Sequence, residues 1–404
     1  MARVFIDCSY IDFGRQPTGI PRVVLKYIEE GYIWAEQTGH ELIPVVPTSN
    51  GLWLCRPVPG DGAPAELIAR ANASENTSTK QPPHLFVQSE DDVLFAPSYW
   101  HDNDPQLYRD IKASGCQVVI LVHDILPIAF KQFYESPWRY RFAAAVVQAL
   151  GYADRLACVS NVTRHAIEAF AAERGLTPPP IEVAYNGHEP LVSGPIARRI
   201  REGRLAPHTA DAVARQALGL DAPLLMVGSI EPKKGHIPVI RCLEAMWAAG
   251  YARPLVVVGR PGWMEKDIVT FITNSPYYGS KLFWLSGLDD HDLAYAYLRS
   301  HALIFASIAE GFGLPMIEAA MLDRPVVVLD TPIAREVLGE HGVRFDEAGA
   351  LMRALLRLED ATEYAAECAR AATFEWPNWA QLVPALMDEL VAGTIKQSGM
   401  TQRA

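Results

Sequence analysis

The sequence predicts an α/β protein built from two Rossmann-like, doubly wound parallel sheets facing a cleft. Three observations carry this. Short, nearly continuous apolar runs alternate with segments of helical periodicity; strands buried on both faces read this way, with helices covering them. The alternation starts afresh near Pro223, as two successive wound units require. The chain has 404 residues, large for one core and right for two domains.

In the first series, RVFIDCS is strand-like and PRVVLKYIEEGYIWAEQTG is helical. ELIPVVP, DVLFAP, CQVVILVHD and RLACVS are further strands, while FAAAVVQALGYA and NVTRHAIEAFAAERG are helices. Residues 60–83, rich in Ala, Asn, Ser, Thr and Pro, form an excursion from this domain. A linker is expected between Asn186 and Ala222, where Pro190, Gly194, Pro195 and Pro207 flank the basic piece IARRIREGR. Its four arginines read as a solvated face; contact with anionic lipid or a lipid diphosphate is the alternative. The second series runs LLMVGS, a helix through CLEAMWAAG, then PLVVVGR, LFWLSG, ALIFAS and PVVVLD. The expected domains are 1–205, 206–378, and a terminal segment 379–404.

Half the residues are hydrophobic and 21% are charged, the balance of a folded protein rather than a disordered one. The net charge of -11 argues against broad nucleic-acid binding, which needs a basic footprint. Six cysteines lie scattered without a CxxC pair and read as buried free thiols in a reducing compartment. With no signal-peptide core and no apolar run long enough to span a bilayer, a cytoplasmic protein is expected, with peripheral contact at the inner membrane face as a further option. The Asn-x-Ser/Thr matches at Asn72, Asn76 and Asn161 then carry no glycan.

The chemistry concentrates in ALIFASIAEGFGLPMIEAAMLDRPVVVLD. A strand, 302–306, leads into Glu310-Gly311-Phe312-Gly313, and a helix opens near Leu314-Pro315, with proline suited to the first turn. Free N–H groups and the helix dipole at such a start favour a phosphate, and the glycines permit close approach. Glu310 and Glu318 would repel phosphate but suit sugar and ribose hydroxyls.

Glu310-Gly311-Phe312-Gly313-Leu314-Pro315 with Glu318-Ala319 resembles the E-x7-E signature of glycosyltransferase family 4, a retaining group with the GT-B fold. The resemblance extends over most of the chain. Val227 to Gly235 resembles the family's loop for the donor diphosphate, 282–293 the segment over the base, Asn186-Gly187 the turn before the linker, and Thr373 to Trp376 the late Phe/Trp segment. After that segment the last helix of the family returns to the first, acceptor-side domain. The resemblance implies that Glu310 meets the donor sugar hydroxyls and Glu318 the ribose, with Gly311, Phe312, Gly313 and Leu314 offering backbone amides. Lys234 matches the family's phosphate lysine. Ser229 stands where an Arg is usual, which makes Lys233 a second phosphate contact.

In the first domain, Pro17-Thr18-Gly19-Ile20-Pro21-Arg22 resembles the family's glycine loop near the reaction centre; Arg22 faces an acceptor phosphate or solvent. His123-Asp124 ends a strongly apolar strand, where ligand crevices lie, and resembles the family's cleft histidine near the transferred sugar. Asp124 is read as a cap for the following loop and Ser160 as an N-cap. Trp100, with Tyr99, Trp138 and Tyr140, either stacks on an acceptor sugar or packs the core. Asp102-Asn103-Asp104 is a D-x-D string of the kind that holds a divalent cation elsewhere, but Lys233, Lys234 and a helix N-terminus already supply positive potential, so no metal and no cofactor is expected. The partners implied are a nucleotide-sugar donor, with GDP-mannose first, and a saccharide acceptor, either free or linked to a polyprenyl diphosphate. A sugar-nucleotide epimerase on the same fold and a non-catalytic glycan-binding protein are the alternatives.

Overall fold

A computed structural model describes residues 2–11, 19–48, 51–54 and 90–393. The 60–83 excursion, Cys55, Asn72, Asn76, Pro17 and Thr18 lie outside the described residues. The chain divides into two compact units. The first comprises the described residues of Met1–Lys131, Glu135–Gly187 and Pro377–Ala404; the second comprises Gln132–Tyr134 and His188–Trp376.

The first unit holds a seven-stranded sheet in the order β3-β2-β1-β4-β5-β6-β7. The strands are β1 (Arg3–Asp7), β2 (Glu41–Thr48), β3 (Gly51–Leu54), β4 (Val93–Ala96), β5 (Gln117–Val122), β6 (Arg155–Cys158) and β7 (Ile181–Val183). All pairings are parallel except β2 with β3, a hairpin on one edge. The order in which successive strands are laid down reverses between β1 and β4, which run parallel, and this puts a crevice at their carboxyl ends. Val118 to Leu121 of β5 are wholly buried, as a central parallel strand requires. The helix Trp379–Val391 completes this unit. Asn378 and Gln381 form its capping box, Trp34 Nε1 donates to Asp388 Oδ1 at 2.7 Å, and Trp379 meets Tyr27 edge-on at 5.7 Å.

The second unit is a six-stranded, all-parallel sheet in the order β10-β9-β8-β11-β12-β13. Its strands are β8 (Leu224–Val227), β9 (Leu255–Val258), β10 (Leu282–Leu285), β11 (Ala302–Phe305), β12 (Val326–Leu329) and β13 (Gly342–Phe345). Numbered within the unit this is 3-2-1-4-5-6, the dinucleotide-fold order, with its switch point between β8 and β11. The division between units falls at Gly187–His188, ahead of the 205/206 boundary read from sequence. The helix Gly194–Arg201 accounts for the difference. Its Ala197 and Ile200 are buried, and its Arg201 donates to the Leu322 carbonyl at 3.0 Å, inside the second unit.

Cys8, Cys116, Cys158 and Cys242 are buried free thiols, with Cys368 half-buried. Among the described residues, no helix is long and apolar enough to cross a membrane.

Candidate functional site

The loops after β8 and β11 meet at the switch point of the second sheet. After Val227 the chain turns through Gly228, at φ 146°. Gly228 and Ile230 then tie it to β9's end, donating to the Val258 and Arg260 carbonyls at 3.0 and 2.9 Å. A short turn, Pro232–Lys234, ends at Gly235 with φ 73°, and the helix His236–Ala248 starts there. A Cβ on Gly235 would stand 2.4 Å from the Ala306 carbonyl oxygen, so only glycine lets this loop lie against the end of β11. From the other side, Ile308 N–H donates to the Lys233 carbonyl at 2.8 Å.

This interlock brings the charges together. Lys234 Nζ lies 2.5 Å from Glu310 Oε1, Lys233 Nζ 3.6 Å from Glu310 Oε2, and Lys233 Nζ 3.8 Å from Glu231 Oε2. Ser229 Oγ donates to Glu231 Oε1 at 2.5 Å. Burial alone would push the Glu310 carboxyl up. The charges of Lys234 and Lys233, with hydrogen bonds from Lys234 and Ser307, outweigh burial and hold it at about 2. The two lysines are thus matched by two carboxylates. His236, next along, is buried, and burial followed by the Lys234 charge pulls it down to about 4; it adds no charge near neutral pH.

The helix after β11 spans Leu314–Met321 and starts from Gly313, at φ 94°. A Cβ on Gly313 would sit 2.6 Å from Met316 Cε and 3.3 Å from the Phe305 ring. Phe312 is buried and meets Trp376 edge-on at 5.6 Å, and Trp376 stacks on Phe374 at 6.3 Å. The late Phe/Trp segment therefore braces the 310–314 loop. First-turn N–H groups of a helix have no acceptor four residues back; here Met316 N–H donates to the Gly313 carbonyl at 3.0 Å. Glu318 is 8% exposed; its Oε2 accepts from the Tyr297 hydroxyl at 2.7 Å.

The structure thus gathers Ser229, Lys233, Lys234, Glu310 and the 311–314 turn at one point, with Glu318 one helix face behind. Sequence reasoning gave no role to Glu231, Ser307 or Tyr297, which orient these groups. Glu231 and Ser307 lie inside the two stretches that carry the motif; Tyr297 has no sequence signal, because its proximity is tertiary.

In the first unit, Gly19 caps the helix Ile20–Thr38 at φ 62°, and Arg22 stands half-exposed in its first turn. Trp100 is buried and gives its indole N–H to the Leu121 carbonyl at 2.9 Å. His123 Nε2 lies 2.7 Å from the Pro97 carbonyl. A carbonyl only accepts, so Nε2 carries the proton and Nδ1 is left as the ring's acceptor. Burial lowers the His123 pKa, against the Pro97 hydrogen bond and the Asp124 charge. Asp124 Oδ1 caps Leu126 N–H at 3.0 Å and Ser160 Oγ caps Thr163 N–H at 3.1 Å. In the D-x-D string, Asp104 caps Gln106 N–H at 2.9 Å, and Asn103 donates to Asp7 Oδ2 at 3.1 Å. Asp7, at the end of β1, is wholly buried and also accepts from Ser9 and Tyr108; sequence reasoning passed over it.

Residues 215–373 match the family model described as glycosyl transferases group 1. The chain is 32% identical over 408 residues to the serotype-specific mannosyltransferase WbdA of Escherichia coli, with 98% of this chain and 47% of WbdA aligned. It therefore spans about half the length of that curated relative. Among solved structures, Anabaena Alr3699/HepE in complex with UDP and glucose superposes with a TM-score of 0.62 at 17% identity, covering 96% of this chain and 98% of that one. Sucrose-phosphate synthase from Thermosynechococcus elongatus does so at 0.61 and 17%, covering 97% and 99%. At such identities the likeness speaks for the fold, which is GT-B.

Proposed function

Residues 215–373 belong to the group 1 glycosyl transferases, and from that premise we propose that the protein is a retaining glycosyltransferase of surface polysaccharide synthesis. It moves mannose from GDP-mannose to a glycan or a polyprenyl-diphosphate-linked saccharide. The observation that carries this is the Lys234–Glu310 ion pair, closed at 2.5 Å at the switch point of the second sheet. It is a phosphate-binding cation held by a carboxylate suited to a sugar. The mannose assignment draws on the relative named a mannosyltransferase.

Arriving diphosphate takes Lys234 and Lys233 from Glu310, adding hydrogen bonds from the 311–314 amides. Glu310, released, accepts from the sugar hydroxyls, while Glu318 accepts from the ribose. The bond from the anomeric carbon to the diphosphate oxygen breaks, and a bond from that carbon to the acceptor oxygen forms on the same face. The acceptor's proton passes to the departing diphosphate, so nucleoside diphosphate is released. Lysines and amides stabilise its growing charge, and loss of one such donor typically costs about 10²–10³ in rate. His123, Gly19 and Arg22 belong to the acceptor side of this reading; Trp100, buried in the core with its indole N–H given to the Leu121 carbonyl, does not; no metal takes part.

The test is the anomeric configuration of the product by NMR, with and without EDTA. An α-linked mannosyl product from GDP-α-mannose, formed equally with EDTA, is expected. A β-linked product would overturn retention, and a requirement for Mn²⁺ would overturn metal independence.

A further inference from the structure

The second sheet has a pocket at the amino ends of its strands, where β8, β11 and β12 begin. It has a volume of about 270 Å³, and its lining includes Arg201, Asp221, Arg299, Arg324 and Tyr364. Three arginines and one acidic residue thus line a pocket in a protein of net charge -11.

Most polar groups here are already committed. Arg201 pairs with Asp323 at 2.6 Å and donates to the Leu322 carbonyl, the use expected of a cation beside helix-end carbonyls. Tyr364 donates to the His301 carbonyl at 3.1 Å, and Ser300 to the Tyr297 carbonyl at 2.8 Å. Arg299 and Arg324 differ. The Nε of each is buried without a hydrogen-bond partner, and neither side chain enters an ion pair among the described residues. Asp221 is exposed and pairs with neither. A buried guanidinium N–H without a partner is costly, and a fork of N–H donors is shaped for a phosphate or carboxylate taken bidentately.

We propose that this pocket is a second anion site, taking a phosphate group through Arg299 and Arg324 with Arg201 at its rim. It is separate from the donor loops, which lie at the carboxyl ends of the strands, and it stands whether or not the donor reading holds. A phosphomonoester of a lipid headgroup and a free phosphate present the same chemistry here. The arginine-rich helix Gly194–Arg201 supplies the rim in either case.

The experiment titrates inorganic phosphate into the Lys234→Ala protein, so that the donor loop does not contribute, and follows the thermal midpoint against chloride at matched ionic strength. A saturable rise is expected, weakened at least about tenfold in Arg299→Gln/Arg324→Gln. Asp221→Asn, which disturbs no internal bond, should tighten it about threefold. Sedimentation with phosphatidylcholine vesicles, with and without phosphatidic acid, separates the sources. Retention by phosphatidic acid that the arginine variant loses identifies the headgroup. A phosphate response without retention identifies a free phosphate compound. No response beyond chloride, or one that both the arginine and Asp221 variants leave unchanged, overturns the site.

Discussion

Glu310→Gln separates the two duties of this carboxylate. With its carboxyl held at about 2 rather than the ordinary 4.5, Glu310 contributes about 3 kcal/mol to the folded state at neutral pH. For a unit of this size that is about 6–12 °C in thermal midpoint. The folded pKa is depressed, so the contribution is complete above the unfolded value and fades as pH falls from about 4.5 towards 2. Neutral glutamine resembles the protonated acid, so the gap between wild type and Glu310→Gln should be wide at pH 7 and narrow steadily below pH 4.5. The substitution also frees Lys233 and Lys234 from their carboxylate. Free GDP should then bind at least as tightly as to wild type, while turnover falls because the sugar has lost its acceptor group. Denaturation scans from pH 7 to 3 and calorimetric titration with GDP read both effects. A variant as stable as wild type at pH 7, or one that loses GDP and turnover in parallel, would refute this reasoning.

Lys234→Ala should weaken GDP binding about tenfold or more by calorimetry, with an unchanged circular dichroism spectrum; intact affinity in a folded variant would remove Lys234 from the donor site. Glu318→Gln should weaken free GDP, while Tyr297→Phe, which removes only the hydroxyl that orients Glu318, should weaken it less; equal affinities throughout would detach Glu318 from the ribose. Gly235→Ala should destabilise by roughly 2 kcal/mol or more, because φ is 73° and the new methyl meets the Ala306 carbonyl. A variant as stable as wild type in urea would show that the two loops do not interlock as described.

The strands that apolar runs announced are mostly interior ones, with the edge strand β10, from LFWLSG, as the exception. CQVVILVHD became β5 and PVVVLD became β12 because burial on both faces admits no polar residue. The edges were harder to read. β7 has only three half-buried residues, and β13 is interrupted by the exposed Arg344, so neither carries a continuous run. Residue types alone pointed to the 310–318 stretch, since a strand, glycines and a proline-started helix declare a phosphate-binding turn. They did not disclose that Lys234 and Glu310 touch, because 76 residues separate them and only the parallel order of β8 and β11 joins their loops. Trp100 shows a further limit. An aromatic residue in a polar loop reads equally as sugar platform or core, and its indole N–H to Leu121 is visible only in three dimensions.

Glycosyl transfer is read out by incubating the protein with GDP-mannose, UDP-glucose and other nucleotide sugars, with and without mannosylated acceptors, and weighing the products by mass spectrometry. GDP-mannose should be consumed while the acceptor gains one hexose, and Lys234→Ala should abolish this. No nucleotide sugar consumed by the folded protein, or a donor converted to another sugar nucleotide with no acceptor gaining mass, would contradict glycosyl transfer.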